Sequence, residues 1–212
     1  MKAGFPRFVV TAGPTREHLD PVRFLSNPST GKMGFAIAEA AARKGCETVL
    51  VAGPVALKTP VGVKRIDVVS AREMLAAVKS AVSGEGETVL VATAAVADWR
   101  PAKCADRKLK KRQMSNVVRL VRNPDILKTV KGVRKVGFAA ETGSPVEEAA
   151  RKCREKKLEF VVANDVLEKG AGFGCDTNKV TFIDASHREE LPLLTKSEVA
   201  ERIADRIENL LK

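Results

Sequence analysis

A chain of 212 residues, 44% of them hydrophobic, has the length and apolar content for one sizeable α/β core. No apolar run reaches the roughly 20 residues of a bilayer span, and the N-terminus has no signal-peptide pattern, so a cytoplasmic chain is expected. The formal net charge of +11 asks for an anionic partner. With aromatics at 4% and no tyrosine the stacking platforms of a nucleic-acid module are scarce, and a pocket for highly charged small anions explains the same excess.

Arg7 to Thr11 (RFVVT) reads as a buried strand closed by Ala12–Gly13–Pro14. TREHLDPVRFLSNPST is then expected to be a long polar loop before a helix that starts near Met33 and stops at Arg43–Lys44–Gly45. Glu47 to Ala52, Lys64 to Val69 and Thr88 to Thr93 predict three more strands, with a helix between the last two opened by Ser70 and Glu73 as a capping box. Past Asp98 the periodicity fails, and WRPAKCADRKLKKRQMSN sets Lys103, Arg107, Lys108, Lys110, Lys111 and Arg112 against a lone Asp106. Asn116 to Val121 reads as a strand, and Asn123–Pro124 as the cap and first position of a short helix. Lys135 to Ala140 and Glu159 to Ala163 predict further strands. Ser144 to Glu147 opens the helix between them, which runs to about Lys157. Asn178 to Asp184 and Glu190 to Leu194 are expected as antiparallel additions, and Thr195 with Glu198 caps a last amphipathic helix. Near-continuous apolar strands alternating with helices imply a Rossmann-like, doubly wound, mostly parallel sheet in one domain over 1–212.

Asn27, Pro28, Ser29, Thr30, Gly31 and Lys32 bring backbone amides, two hydroxyls and an ammonium to the start of the first helix, which reads equally as an ordinary capped helix or as an anion site. STGKM is not a Walker A: no Gly sits five residues before Gly31, and Met33 replaces the metal-binding hydroxyl. A dinucleotide-binding reductase is argued against by the gap from Gly13 to Gly31, which lacks the G-x-G-x-x-G turn, and by the absence of tyrosine. Cys46, Cys104, Cys153 and Cys175 lie far apart with no C-x-x-C pair, so neither a zinc site nor a disulfide framework follows and reduced thiols are expected.

In a doubly wound sheet ligands bind beyond the carboxyl ends of the strands. Those ends here are AGPTRE, AAVADWR, Glu141–Thr142–Gly143 and Asn164–Asp165, small residues beside polar ones. The basic run about Lys108 reads either as a solvated loop or as a mobile flap, spanning about 99–115, that closes on phosphates. Lys152 and Lys156 fall one helical turn apart and can face one anion, although the spacing alone favours plain surface decoration. Binding of nucleic acid through 103–112, and an inactive nucleotide-binding module, are the alternatives held beside an enzyme.

Laid side by side, TAGPTREHLDPVRFLSNPSTGKMGFAIAEAAARKG at 11–45, AAVADWRP at 94–101, KLKK at 108–111, NPDIL at 123–127, VGFAAETG at 136–143 and ANDV at 163–166 resemble the phosphopantothenate–cysteine ligases of the bacterial and archaeal type. The resemblance spans nearly the whole chain in the family's order. It implies CTP-dependent joining of L-cysteine to 4′-phosphopantothenate through an acyl-cytidylate, with Mg²⁺ accompanying CTP, no flavin on this chain and metal ligands unassigned. By the same resemblance Asn27 holds the activated acyl group and Lys108 is the flap lysine, with Lys110 and Lys111 beside it. Gly13, Thr15, Ala94, Ala95, Asp98, Pro124, Asp125, Ile126, Leu127 and Phe138 are implied as substrate or nucleotide contacts. Lys152 and Lys156 match two helix lysines near the phosphates. A homodimer is implied, and a flavin-dependent decarboxylase is often fused ahead of such a ligase. Met1 stands almost at the first strand, which suits either a stand-alone ligase or an isolated ligase domain. Trp99 stands where a smaller aromatic is common.

Overall fold

The apolar runs become the middle of one sheet. The computed structural model describes residues 6–113, 116–141 and 145–211. β1 (Arg7–Ala12) leads into a hairpin of β2 (Arg16–His18) and β3 (Phe24–Ser26), followed by α1 (Lys32–Arg43), β4 (Thr48–Ala52), β5 (Val63–Asp67), α2 (Ala71–Val82) and β6 (Thr88–Ala92). A second small pair, β7 (Trp99–Pro101) and β8 (Leu120–Arg122), brackets the basic segment with its 3-10 turn at Lys111–Gln113. Then come α3 (Ile126–Thr129), β9 (Arg134–Glu141), α4 (Pro145–Lys156), β10 (Phe160–Asp165), β11 (Thr177–Asn178), β12 (Thr181–Ile183), β13 (Arg188–Glu190), β14 (Leu194–Thr195) and α5 (Lys196–Leu210).

The main sheet runs β13-β12-β10-β9-β6-β1-β4-β5. The strands from β10 to β5 are parallel, and β12 and β13 are antiparallel additions. The parallel strands lie in the doubly wound order, whose direction of winding reverses between β1 and β6. That reversal opens a crevice where Gly13 leaves β1 and Ala94 leaves β6.

Alternate residues of each strand feed two apolar layers. Phe8, Val10, Leu50, Val91, Phe160 and Val162 pack under α1 and α5 through Ile37, Ala41, Val199 and Ile203. Val9, Val51, Leu90, Val161 and Ala163 pack under α2, α3 and α4 through Met74, Val78, Leu127, Ala149 and Cys153. Burial on both faces is why these strands are nearly all apolar in sequence. Gly34 lets α1 sit close to the sheet: a Cβ there would lie 2.6 Å from Ala12 Cβ and 3.0 Å from Thr11 O.

Several local expectations are corrected. The stretch from Thr15 to Thr30 is not wholly irregular, since β2 and β3 form a hairpin whose three-residue strands are too short to show a period. Asn116 to Val121 contributes a strand only from Leu120, and the segment after Asp98 contains β7. The cap of α3 is Asp125, whose carboxylate accepts from Lys128 N at 3.0 Å, so Pro124 precedes the cap rather than following it. Ser70 caps α2 as expected, but Glu73 reaches back to the amide of Val69, one residue before the cap. Of the expected strand at 190–194, only Glu190 and Leu194 fall in strands, at the end of β13 and the start of β14, which pairs with β11 away from the main sheet. The Thr195–Glu198 capping box forms in full. Thr142–Gly143 and the Ser144 cap lie outside the described residues.

Candidate active site

Two cavities flank the crevice, and Phe138 of β9 forms part of the wall of both. The first lies at the N-terminus of α1. Gly31 is the N-cap in a left-handed conformation with φ 79°, and among the described residues no side chain caps this helix, so its first amides face the cavity without a side-chain acceptor from them. Gly13, with φ 76°, sits against it, and a Cβ there would lie 2.9 Å from Val55 Cγ1.

The loop between β10 and β11 closes over this helix start, held by donors from three elements. Thr30 Oγ1 donates to Phe173 O at 2.8 Å, and Lys32 Nζ pairs with Asp176 at 2.6 Å. Lys196, buried in the first turn of α5, donates to the carbonyls of Gly172, Phe173 and Cys175. Burial pulls its ammonium below the ordinary lysine range. Asn164, whose role the sequence leaves open, donates to Ala171 O at 3.0 Å. Asn178, also buried, completes the wall.

The second cavity gathers most of the expected nucleotide contacts: Ala94, Asp98, Pro124, Asp125, Ile126, Leu127, Phe138, Lys152 and Lys156. These come from the segment after β6, from α3 and the residues leading into it, and from β9 and α4, stretches far apart in sequence. Lys156 forms an ion pair with Asp125 at 2.8 Å, and Lys152 donates to the Phe138 carbonyl. The helical-turn spacing therefore does put both ammonium groups on one wall, each with a protein partner. Burial raises the Asp125 carboxyl, but Lys156 and the Lys128 amide outweigh it and leave the pKa below its ordinary value. Among the described residues no three His, Cys, Asp or Glu side chains converge as a metal cage. A Mg²⁺ that binds mainly through phosphate oxygens and water suits such a wall, with Asp98 the exposed carboxylate beside it.

Asn27, Gly13, Thr15 and Ala95 tie the crevice together. Ala95 N donates to Gly13 O at 2.9 Å, and Thr15 Oγ1 accepts from Ala97 N at 3.0 Å. Asn27 is exposed, and its Nδ2 donates to Ala95 O at 3.1 Å and to Val96 O at 3.4 Å, which holds the carboxamide on the segment that follows β6. Lys108, Lys110 and Lys111 are exposed and line neither cavity.

The family model described as DNA/pantothenate metabolism flavoprotein C-terminal domain matches residues 5–211. The chain belongs to this family. The Coenzyme A biosynthesis bifunctional protein CoaBC of Bacillus subtilis is 46% identical over 210 residues, which are 96% of this chain and 51% of that protein. The protein of the same name from Escherichia coli is 44% identical over 207 residues, 94% of this chain and 50% of its own. The chain thus spans about half the length of the curated relatives it matches. The crystal structure of the C-terminal domain of a CoaBC protein superposes with a TM-score of 0.81 at 43% identity, covering 97% of this chain and 95% of that one.

The residues that sequence reasoning missed are those whose partners are loop carbonyls. Lys196 carried one usable signal: it sits in the first turn of a helix, where the dipole disfavours a cation. Leu19–Asp20–Pro21–Val22 carried another, since an aspartate at the head of a tight turn binds the amides that follow it.

Proposed function

We propose that this chain is a phosphopantothenate–cysteine ligase domain that acts in coenzyme A biosynthesis. The observation that carries the reading is the pair of cavities meeting at Phe138, one at the amides of α1 and one holding the expected nucleotide contacts, with the Asn27 carboxamide held nearby on the Ala95 and Val96 carbonyls just past β6. The name of the CoaBC relatives supports the pathway, and their double length supports a fused decarboxylase that would carry the flavin.

In this reading CTP occupies the second cavity. Its base is read by backbone groups beside the small residues Ala94 and Ala95, and its phosphates face Lys152 and Lys156. The amides of α1, with Lys32, hold the phosphate of 4′-phosphopantothenate. A carboxylate oxygen of that substrate attacks the α-phosphorus of CTP, and pyrophosphate departs. The cysteine amine then attacks the acyl carbon, loses its proton, and CMP leaves. Mg²⁺ bound with the nucleotide would neutralise phosphate charge, with Asp98 as the chain's ligand. The chain's own contribution is placement and charge: Asn27 can donate to the acyl oxygen without competing as a nucleophile, and Lys108, on the flap, follows the phosphates.

The proposal includes a single domain, a cytoplasmic setting and a homodimer. No helix among the described residues is long and apolar enough to cross a membrane. Val22 and Phe24 on the β2–β3 hairpin and Trp99 and Leu120 on the adjacent β7–β8 pair are exposed apolar side chains, which favours a second copy covering this part of the surface. The test is product analysis: with CTP, 4′-phosphopantothenate, Mg²⁺ and cysteine, the chain should form one phosphopantothenoylcysteine per CMP. A folded sample that makes neither product would refute the assignment.

A further inference from the structure

The β2–β3 hairpin connects two parts of the site that are far apart in sequence. At its turn, Leu109 N donates to Asp20 Oδ2 at 3.2 Å, and the Leu109 carbonyl accepts from Arg23 Nη2 at 2.7 Å. Ala105 N donates to Leu19 O at 2.9 Å. At its exit, Ser26 Oγ donates to Thr15 O at 2.8 Å, and the next residue is Asn27. The three residues of β3 separate the two ends by about 10 Å of strand.

Asp20 is wholly buried, and its two oxygens do different work. Oδ1 accepts from the amides of Val22 and Arg23, both at 2.9 Å, and so shapes the turn. Oδ2 accepts from Arg23 Nε at 3.0 Å, from Arg23 Nη2 and from the Leu109 amide. The Arg23 guanidinium holds the carboxyl well below the usual carboxylate range, so the clamp is charged wherever the protein is folded near neutrality. Leu109 stands between Lys108 and Lys110, and these lysines are exposed. A flexible ammonium that must meet a phosphate gains from a backbone held in place, because the ordering cost is met before the ligand arrives.

We infer that Asp20 is a positioning residue: with Arg23 it fixes both backbone groups of Leu109, and thereby sets where the lysines of 108–111 stand relative to Asn27. The inference rests on the flap reading given under the proposed function. It also explains why a carboxylate is used. An asparagine could keep Oδ1 on the two turn amides, but its Nδ2 would then face the Leu109 amide and the Arg23 guanidinium, donor against donor.

Asp20→Asn is therefore the discriminating variant, with Lys108→Gln as its companion. In Asp20→Asn, amide exchange at Leu109 and tryptic cleavage at Lys108, Lys110 or Lys111 should accelerate, while the dissociation constant for CTP stays within about threefold of native, because its cavity is untouched. Turnover should fall about tenfold or more, as for a misplaced catalytic group. Unchanged exchange and cleavage would overturn the clamp itself. A freed Leu109 with normal turnover would overturn its positioning role. If Lys108→Gln is inactive in that case, the flap reading survives without the clamp; if it too is normal, the flap reading fails first. A parallel loss of turnover, CTP affinity and melting temperature would mark Asp20 as merely structural and also overturn the inference.

Discussion

Replacing Gly34 with alanine sets two effects against each other. In an exposed helix interior the change is favourable by about 1 kcal/mol, because alanine has the higher helix propensity. Here the new Cβ would lie 2.5 Å from Thr93 Oγ1, 2.6 Å from Ala12 Cβ and 3.0 Å from Thr11 O. Ala12 has no rotamer to escape into, Thr11 O is backbone, and Thr93 is committed to a hydrogen bond with Thr11 O. The strain can be relieved only by lifting α1 off the sheet, and overpacking of this kind costs about 1–3 kcal/mol, occasionally more. Two contacts near 2.5 Å put the cost at the upper end of that range, about 3 kcal/mol; with the propensity gain of about 1 kcal/mol set against it, a net loss of about 2 kcal/mol is expected, or a fall of roughly 4–8 °C in melting temperature for a chain of this size. The lift would also move the α1 amides at the first cavity, so affinity for 4′-phosphopantothenate should weaken more than affinity for CTP. Thermal unfolding beside titration of each substrate checks this, with Gly174→Ala as control, since a Cβ there meets nothing within 4 Å. An unchanged or raised melting temperature in Gly34→Ala would refute the packing argument.

Asn27→Ala and Asn27→Asp should leave CTP binding largely intact while impairing formation or use of the acyl-cytidylate, as read by rapid-quench analysis; an equal loss of nucleotide affinity would contradict the placement. Asp125→Asn keeps a competent cap on α3 but loses the Lys156 ion pair, a half-exposed contact worth about 1 kcal/mol or less. Because the native Asp125 pKa is depressed, its contribution is fully present above the unfolded value near 4 and is lost as pH falls through the native value. The difference in denaturation midpoint between the two chains should therefore be seen at pH 7 and shrink on acidification. Leu120→Glu on the exposed apolar face should shift sedimentation from dimer to monomer; an unaltered mass would place the interface elsewhere.

Much of the architecture was legible because buried parallel strands must be apolar on both faces, which left TVLVA at β4 and again at β6 little choice of structure. The wall of the second cavity was legible as motifs, since Asn123 to Leu127 is one short segment, with Ala94 just beyond β6 and Phe138 within β9. The hairpin was not, because Arg16–His18 and Phe24–Ser26 are held by each other and by the turn at Asp20 rather than by a periodic face. Nor was the loop over α1, because Lys196, Asn164 and Thr30 act on carbonyls at 171–175 that no side-chain pattern announces.

The most direct test of the ligase account is pyrophosphate release with 4′-phosphopantothenate and Mg²⁺, using CTP or ATP, with and without cysteine. The account predicts release that requires phosphopantothenate and favours CTP, stopping near one equivalent per site without cysteine and continuing when cysteine is present. A folded sample that releases no pyrophosphate with either nucleotide, or releases it equally well without phosphopantothenate, would contradict it.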